Sequence, residues 1–168
     1  MRDLTAGDNA SPAMNGGDLI VRVARIDDLY ALVAMLADDE LGREREDLRD
    51  PLPEAYVAAF HAIDNDPNNE ILVACLGKRI VATLQITYTP SLSHRGSWRA
   101  TLESVRTVSD LRGRGIGKRL VRDAIERARA RGCSIVQLST NKVRADARRF
   151  YEGLGFRATH EGMKMDVR

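Results

Sequence analysis

Long apolar runs and cysteines are both scarce in this sequence of 168 residues. No apolar stretch approaches the ~20 residues that a membrane-spanning helix requires, so the sequence predicts no association with a membrane. The two cysteines, Cys75 and Cys133, lie within or beside apolar runs at no spacing that suits a metal ion, and only three histidines accompany them. They indicate buried free thiols in a reducing compartment. We therefore expect a cytoplasmic protein without a metal site.

Aromatic residues make up only 5% of the chain, and none interrupts the arginine-rich stretch from Arg119 to Arg131. Proteins that bind single-stranded nucleic acid combine basic grooves with aromatic side chains that stack on bases. The chain also uses 22 arginines against 4 lysines, so a general preference for arginine explains their number in this stretch. The sequence therefore predicts no nucleic-acid partner.

The composition is otherwise that of a globular protein, with 43% hydrophobic and 30% charged residues, and the length suits one domain. Residues 1–18 are rich in Gly, Asn, Asp and Ser and lack the apolar core of a signal peptide, so they predict a flexible tail before a single domain at 19–168. Residues 1–60 hold 6 basic and 13 acidic side chains, whereas residues 61–168 hold 20 and 11. The second part can attract an anion.

Patterns typical of strands and helices follow one another in the order βααβββαβαββ. The first strand covers Leu19 to Arg25, Pro53 opens the second helix, and a hairpin around Glu161-Gly162 closes the chain. The fold class is α/β (α+β): a mixed, mostly antiparallel central sheet of about seven strands with helices on both faces.

Three glycines at alternate positions, Gly113, Gly115 and Gly117, lie where a predicted strand gives way to a helix. Bare backbone at a helix start favours a phosphate, because free N–H groups and the helix dipole both attract an anion. A solvated basic turn is the structural alternative. The motif of a P-loop fails, since Arg119 follows Lys118 where a hydroxyl is required, and the dinucleotide fingerprint fails because the third glycine comes one residue early.

The motif R-x-x-G-x-G, read here from Arg112 to Gly117, resembles that of the GNAT superfamily of N-acetyltransferases. The segment "DARRFYEGLGF" follows after an intervening helix and strand, as in that superfamily, and the resemblance extends over residues 19–167. It implies a GNAT-like fold and acetyl-CoA as cosubstrate. The turn binds the pyrophosphate, and the strand before it lends backbone groups to the pantetheine arm and separates from the next strand. The implied cofactor-binding residues are Val105, Arg106, Thr107, Arg112, Gly113, Arg114, Gly115, Ile116, Gly117, Lys118, Asn141 and Arg144.

Two residues are candidates for catalysis. Tyr151 lies where the superfamily has its general acid, and a phenol of pKa ~10 is protonated at neutral pH. Its alternative role is packing beside Phe150. Glu103 lies on the central strand and is the candidate base, while its alternatives are binding the substrate cation or pairing with Arg99 or Arg106. Backbone N–H groups near Val105–Thr107 are the expected oxyanion donors.

One position departs from the superfamily's pattern. Arg144 stands seven residues before the tyrosine, where many members carry an asparagine that contacts the cofactor, and the nearest asparagine is Asn141. The stretch "LSTNKVRADARRFY" is similar to that of the aminoalkylphosphonate acetyltransferases within the superfamily. This local likeness suggests a small amine substrate.

Residues on the acceptor side are expected from the first two helices and from the loop before the central strand. Asp38, Asp39 and Glu40 suit a cationic amine, and His94 and Arg95 suit an anionic tail. A solvated acidic helix end is the alternative for the first group.

The resemblance implies an enzyme that moves an acetyl group from acetyl-CoA directly to a primary amine on a small molecule. A protein or peptide amine is the alternative acceptor, and a non-catalytic acyl-CoA sensor is the alternative function. Exposed strand edges allow a homodimer.

Overall fold

A five-stranded sheet forms the centre of the protein, for which a computed structural model describes residues 18–38 and 40–167. The predicted tail, apart from Asp18, lies outside the described residues. The strands lie side by side in chain order, and the first three pairs are antiparallel while the last pair is parallel. The strands are β1 (Leu19–Val23), β2 (Asn69–Leu76), β3 (Arg79–Pro90), β4 (Trp98–Thr107) and β5 (Cys133–Leu138).

Helices lie between β1 and β2, between β3 and β4, between β4 and β5, and after β5. Two 3₁₀ turns, Ile26–Asp28 and Ser109–Leu111, introduce α1 and the glycine-rich turn. The helices are α1 (Leu29–Ala37), α2 (Glu40–Arg43), α3 (Glu54–Asp64), the single turn α4 (Ser93–Gly96), α5 (Ile116–Ala130) and α6 (Ala145–Glu152).

Two apolar clusters attach helices to opposite faces of the sheet. On one face α5 buries a stripe that includes Ile116, Leu120 and Ala124, which recur at four-residue spacing. On the other face α1 and α3 pack Val33 and Phe60 against β2. The prediction of helices on both faces of a mixed, mostly antiparallel sheet is therefore confirmed.

The predicted hairpin at the C-terminus is absent from the described residues, so the sheet has five strands instead of about seven. Residues 157–167 contain no strand, and Met163, Met165 and Val167 are more than 80% exposed. Alternating apolar residues stabilise a strand only when a neighbour pairs with its backbone and covers one of its faces. Within the described chain neither condition is met at this segment.

Both cysteines are free thiols, as predicted, with Cys75 buried and Cys133 half-buried. In the part of the chain that the structure describes, no helix has the length and apolar character to cross a bilayer. The same residues contain no group of three or more His, Cys, Asp or Glu side chains able to hold a metal ion.

Asp28 ties β1 to the start of α1. Its carboxylate accepts two hydrogen bonds from the Arg22 guanidinium, at 2.6 and 2.9 Å, and one from the Arg25 backbone N–H at 2.7 Å. Asp28 is only 8% exposed, so these bonds replace the water that burial removes. The hydrogen bonds from Arg22 are the main reason that the pKa of Asp28 is lowered.

We expect Asp28→Asn to lower the free energy of unfolding by about 2 kcal/mol at pH 7, because it leaves the Arg22 charge without its partner. A lowered pKa means that the carboxylate's contribution is complete above the ordinary aspartate pKa of ~4 and is lost as the pH falls through the folded-state value. Urea denaturation should therefore show the difference from the native protein shrinking below about pH 4. The exposed neighbour Asp27, changed to Asn, is the control and should have little effect at either pH.

Candidate active site

The glycine-rich turn between β4 and α5 is open where its glycines bend the chain. Gly113 and Gly115 adopt left-handed backbone angles, with φ of 75° and 81°, which side-chain-bearing residues rarely adopt. Among the described residues other than the two chain neighbours, no atom lies within 4 Å of the position that a Cβ would take on either glycine. The turn therefore presents bare backbone to open space.

The backbone N–H groups of this turn are unpaired. From Gly113 to Lys118, none donates a hydrogen bond to another group within the described part of the chain. Unpaired N–H groups and the positive end of a helix dipole bind phosphate oxygens. This turn, at the start of the 15-residue α5, therefore fits the pyrophosphate of a coenzyme.

Arg112 connects the turn to two other elements. Its Nε donates to the carbonyl oxygen of Thr107 at 3.2 Å, and its Nη2 lies 3.5 Å from the carbonyl oxygen and 3.9 Å from the carboxylate of Asp38. The cation is thus held between the end of β4 and the end of α1. The sequence predicts a phosphate contact for Arg112 and an amine contact for Asp38, but no local pattern indicates that the two residues lie close together.

Gly117 has a different role from the other two glycines. It is helical, and a Cβ there would lie 3.1 Å from Oγ1 of Thr107 and 3.6 Å from the ring of Phe150. The absent side chain lets the first turn of α5 approach both β4 and α6. Gly117 therefore sets the spacing of three elements around the turn.

The sheet opens beside this turn. Pairing of β4 with β5 ends at Leu102 and Leu138, whereas pairing of β4 with β3 continues to Thr107. A β-bulge marks the start of the open part. The register between β3 and β4 shifts between Thr83 and Gln85 on β3, and on β4 Ser104 has a left-handed φ of 52°. The separation of the two strands was predicted from the resemblance, while the bulge at Ser104 was not predicted.

A cleft of about 450 Å³ occupies the opening between β4 and α6. It brings together the predicted residues Val105, Arg106 and Thr107 on β4 with Arg112 and Arg144. Asn141 is exposed, and its side chain accepts a hydrogen bond from the Val143 backbone N–H at 3.1 Å, which shapes the approach to α6.

Tyr151 is half-buried on α6, where its ring packs edge-to-face against Phe150 and Phe156 at centroid distances of 5.0 and 5.8 Å. Burial raises the pKa of Tyr151, and the nearby cations of Arg106 and Arg144 partly offset that rise. Both arginines line the cleft. The phenol is thus held in its protonated form at neutral pH beside the cleft.

Glu103 is exposed on β4, directly across from Gln85 on β3. Its carboxylate is therefore open to water and not enclosed within the sheet. Of the acidic acceptor-side group, Asp38 is exposed, whereas Asp39 and the side chain of Glu40 lie outside the described residues.

The chain belongs to the acetyltransferase (GNAT) family, whose model matches residues 33–156. This assignment agrees with the unpaired turn, the opened sheet and the tyrosine beside the cleft. The protein is an acyltransferase.

Two named N-acetyltransferases are similar to this chain, one over most of its length and the other over about half, and one solved structure is similar over most of it. The aminoalkylphosphonate N-acetyltransferase of Salmonella typhimurium is 30% identical over 134 residues, which are 80% of each chain. The glucosamine 6-phosphate N-acetyltransferase of Trypanosoma brucei brucei is 34% identical over 89 residues, or 53% of this chain and 58% of the relative. A crystal structure from Bacillus halodurans C-125, described as a transcriptional regulator, is 57% identical with a TM-score of 0.87, covering 89% of this chain and all of that chain.

We expect Gly117→Ala to destabilise the protein by about 1 kcal/mol, because its Cβ meets the Thr107 hydroxyl. In a Thr107→Ala background the same change should instead stabilise by about 0.5 kcal/mol, since alanine is the better helix residue once the contact is gone. A double-mutant cycle by urea denaturation measures this coupling. Gly153→Ala, where a Cβ meets nothing closer than 3.4 Å, is the control and should show none. An equal effect of Gly117→Ala in both backgrounds would contradict the close-approach role.

Proposed function

We propose that this protein transfers an acetyl group from acetyl-CoA to the primary amine of a small molecule. The single observation that carries the proposal is that the unpaired turn adjoins, at Arg112, a cleft along the open edge of β4, and that the Arg106 and Arg144 side chains of this cleft act on the phenol of Tyr151. The names of two relatives, which act on an aminoalkylphosphonate and on an amino sugar phosphate, support a small acceptor.

The residues of the turn and of β4 fit acetyl-CoA in two ways. The unpaired N–H groups of residues 113–118 suit its pyrophosphate, and the edge of β4 from Glu103 to Thr107, which has no strand partner on the β5 side, suits the amides of its pantetheine arm. When bound, the thioester supplies the acetyl group. The backbone at the Ser104 bulge lies where N–H groups can stabilise negative charge that develops in the opening.

Tyr151 serves as the general acid in this proposal. Its proton is available at neutral pH because burial raises its pKa, and the departing thiolate has a basicity close to that of a phenolate. The cations of Arg106 and Arg144 then stabilise the phenolate that remains. The edge-to-face contacts with Phe150 and Phe156 hold the ring in place.

Replacing Tyr151 by phenylalanine should lower kcat by at least about tenfold, since the ring packing is kept and only the proton is removed. The dissociation constant of acetyl-CoA should change little. Thiol release measured with a panel of aminoalkylphosphonates, amino sugars, polyamines and a lysine peptide tests both values. Tyr30→Phe, on the exposed face of α1, is the control for general effects of losing a hydroxyl. Unchanged turnover in Tyr151→Phe would leave the residue with a packing role alone.

Glu103 removes the proton of the acceptor amine in this proposal, directly or through water. Its exposure supports access for a polar substrate, and its position next to the bulge lies near the start of the opening. The competing role is to bind the ammonium group without accepting its proton.

The two roles of Glu103 separate in the kinetics of Glu103→Gln. Loss of a base should lower kcat and remove the acidic limb of its pH profile, whereas loss of a binding charge should raise the KM for the amine and leave that profile in place. We expect the first result, with kcat lower by about tenfold at pH 7. Thr101→Ser is the control, because it changes a residue on the same face of β4 and keeps the carboxylate of Glu103.

A regulator that binds acyl-CoA without turnover is the second candidate, favoured by the 57% identical Bacillus halodurans protein, which is described as a transcriptional regulator. The phenol of Tyr151 beside the cleft favours the enzyme, because a binding protein has no use for an acid there. Binding of acetyl-CoA without turnover of any amine in the panel would support the regulator.

A further inference from the structure

One edge of the sheet has no neighbour among the described residues. There β5 pairs with β4 and with no other strand, so the N–H and C=O groups on its outer side lack a strand partner. None of the six residues of β5 is fully buried, whereas Leu72 on β2 and Leu84 on β3 are completely buried. The sheet therefore ends at an apolar strand that is open on one side.

The apolar cluster beneath α5 is open on the same side. Five of the side chains that pack against this cluster from β5 and from in and around α6 stay partly exposed: Val136, Leu138, Phe150, Leu154 and Phe156. The side chains of a further strand beside β5 would cover part of this surface, because neighbouring strands bury each other's side chains on a shared face. An exposed apolar surface at a sheet edge commonly marks a contact with another chain.

The segment 157–167 has the pattern of the strand that this edge lacks. Met163, Met165 and Val167 alternate with Lys164 and Asp166, which places the three apolar side chains on one face of an extended chain. All three are exposed, and none of residues 157–167 belongs to a strand. The segment thus has a face to bury and a backbone to pair, and the described part of its own chain provides for neither.

The segment leaves the molecule on the side of the open edge. Phe156 directly precedes it and packs, like Leu138 of β5, against the cluster beneath α5, and its ring lies 5.8 Å from that of Tyr151. Farther along, the Glu161 carboxylate lies 3.6 Å from Nζ of Lys142, in the loop between β5 and α6. The other edge strand, β1, is four strand spacings from β5, or roughly 19 Å. The segment therefore starts near β5 and beside the active-site cleft.

We propose that residues 163–167 of one copy of this chain pair with the outer edge of β5 in a second copy, which returns the same contact. The apolar face of the segment covers the open side of the cluster beneath α5. Lys164 and Asp166 lie on the opposite face of the extended sheet, where Gln137 donates a hydrogen bond to the Thr101 hydroxyl at 3.1 Å. The contact does not depend on the proposed acetyl transfer.

A second copy is the occupant because each copy offers both halves of the contact. The open edge and the apolar segment lie in the same chain, and its described residues leave both of them unpaired. A different protein would satisfy one of the two and leave the other exposed. Two copies related by a two-fold axis satisfy both edges and both segments at once, so that no open edge remains for further association.

The oligomeric state of the full chain and of two variants tests the proposal. Sedimentation equilibrium should give twice the 18.6 kDa of one chain. Met165→Asp places a charge on the buried face of both contacts and should raise the dissociation constant of the dimer by at least about a hundredfold. Lys164→Asp is the matched control: the same new side chain lies on the opposite face, and the constant should stay within about fivefold. Both residues are exposed in one copy, so the fold of the single chain should be unchanged.

Hydrogen exchange locates the contact independently. In the native dimer the amides of residues 163–167 should be protected, and this protection should be lost in Met165→Asp and kept in Lys164→Asp. A native protein that stays monomeric up to about 100 µM overturns the proposal, even if the segment is protected, because the segment then pairs within its own chain. A dimer that survives Met165→Asp, or that leaves residues 163–167 unprotected, has its interface elsewhere and overturns the proposal as well.

Discussion

The separation of β4 from β5 beyond Leu102 and Leu138 is the constraint on which the rest of the active site depends. A parallel pair that stops halfway leaves backbone N–H and C=O groups of β4 without a strand partner, and such groups are costly unless water or a ligand satisfies them. The bulge at Ser104 turns the strand at the point where the pairing ends. The open edge is therefore suited to the backbone-like amides of an extended polar ligand, as the proposed cosubstrate requires.

Packing around the opening explains why it persists. The first turn of α5 approaches Thr107 and Phe150 closely because Gly117 has no side chain, and Phe150 in turn contacts the ring of Tyr151. The turn, the open strand edge and the phenol therefore belong to one packed unit. Arg112 extends this unit to the end of α1 through Asp38, so that the proposed phosphate site and the acceptor side share a residue.

Local patterns were sufficient for much of this arrangement. Three features depend only on neighbours in the sequence: the glycine-rich turn, the apolar stripe of α5 and the strand that follows α5. All three are present in the structure. The prediction of a hairpin at the C-terminus was wrong, because the alternation of apolar and polar residues at Met163–Val167 does not supply a partner strand. The bulge at Ser104 depends on the register of β4 with β3, so no local signal in the sequence contains it. The left-handed angles of His94 and Arg95 carry no sequence signature either, since neither residue is a glycine.

The positions of the charges on β4 follow from its alternation. Ala100 and Leu102 must face the core beneath α5, so Arg99, Thr101 and Glu103 are forced onto the opposite face. The strand thus carries a cation, Arg99, near its start and a carboxylate, Glu103, beside the opening. The same two-residue period that builds the core therefore also fixes the order of the charges along this face of β4.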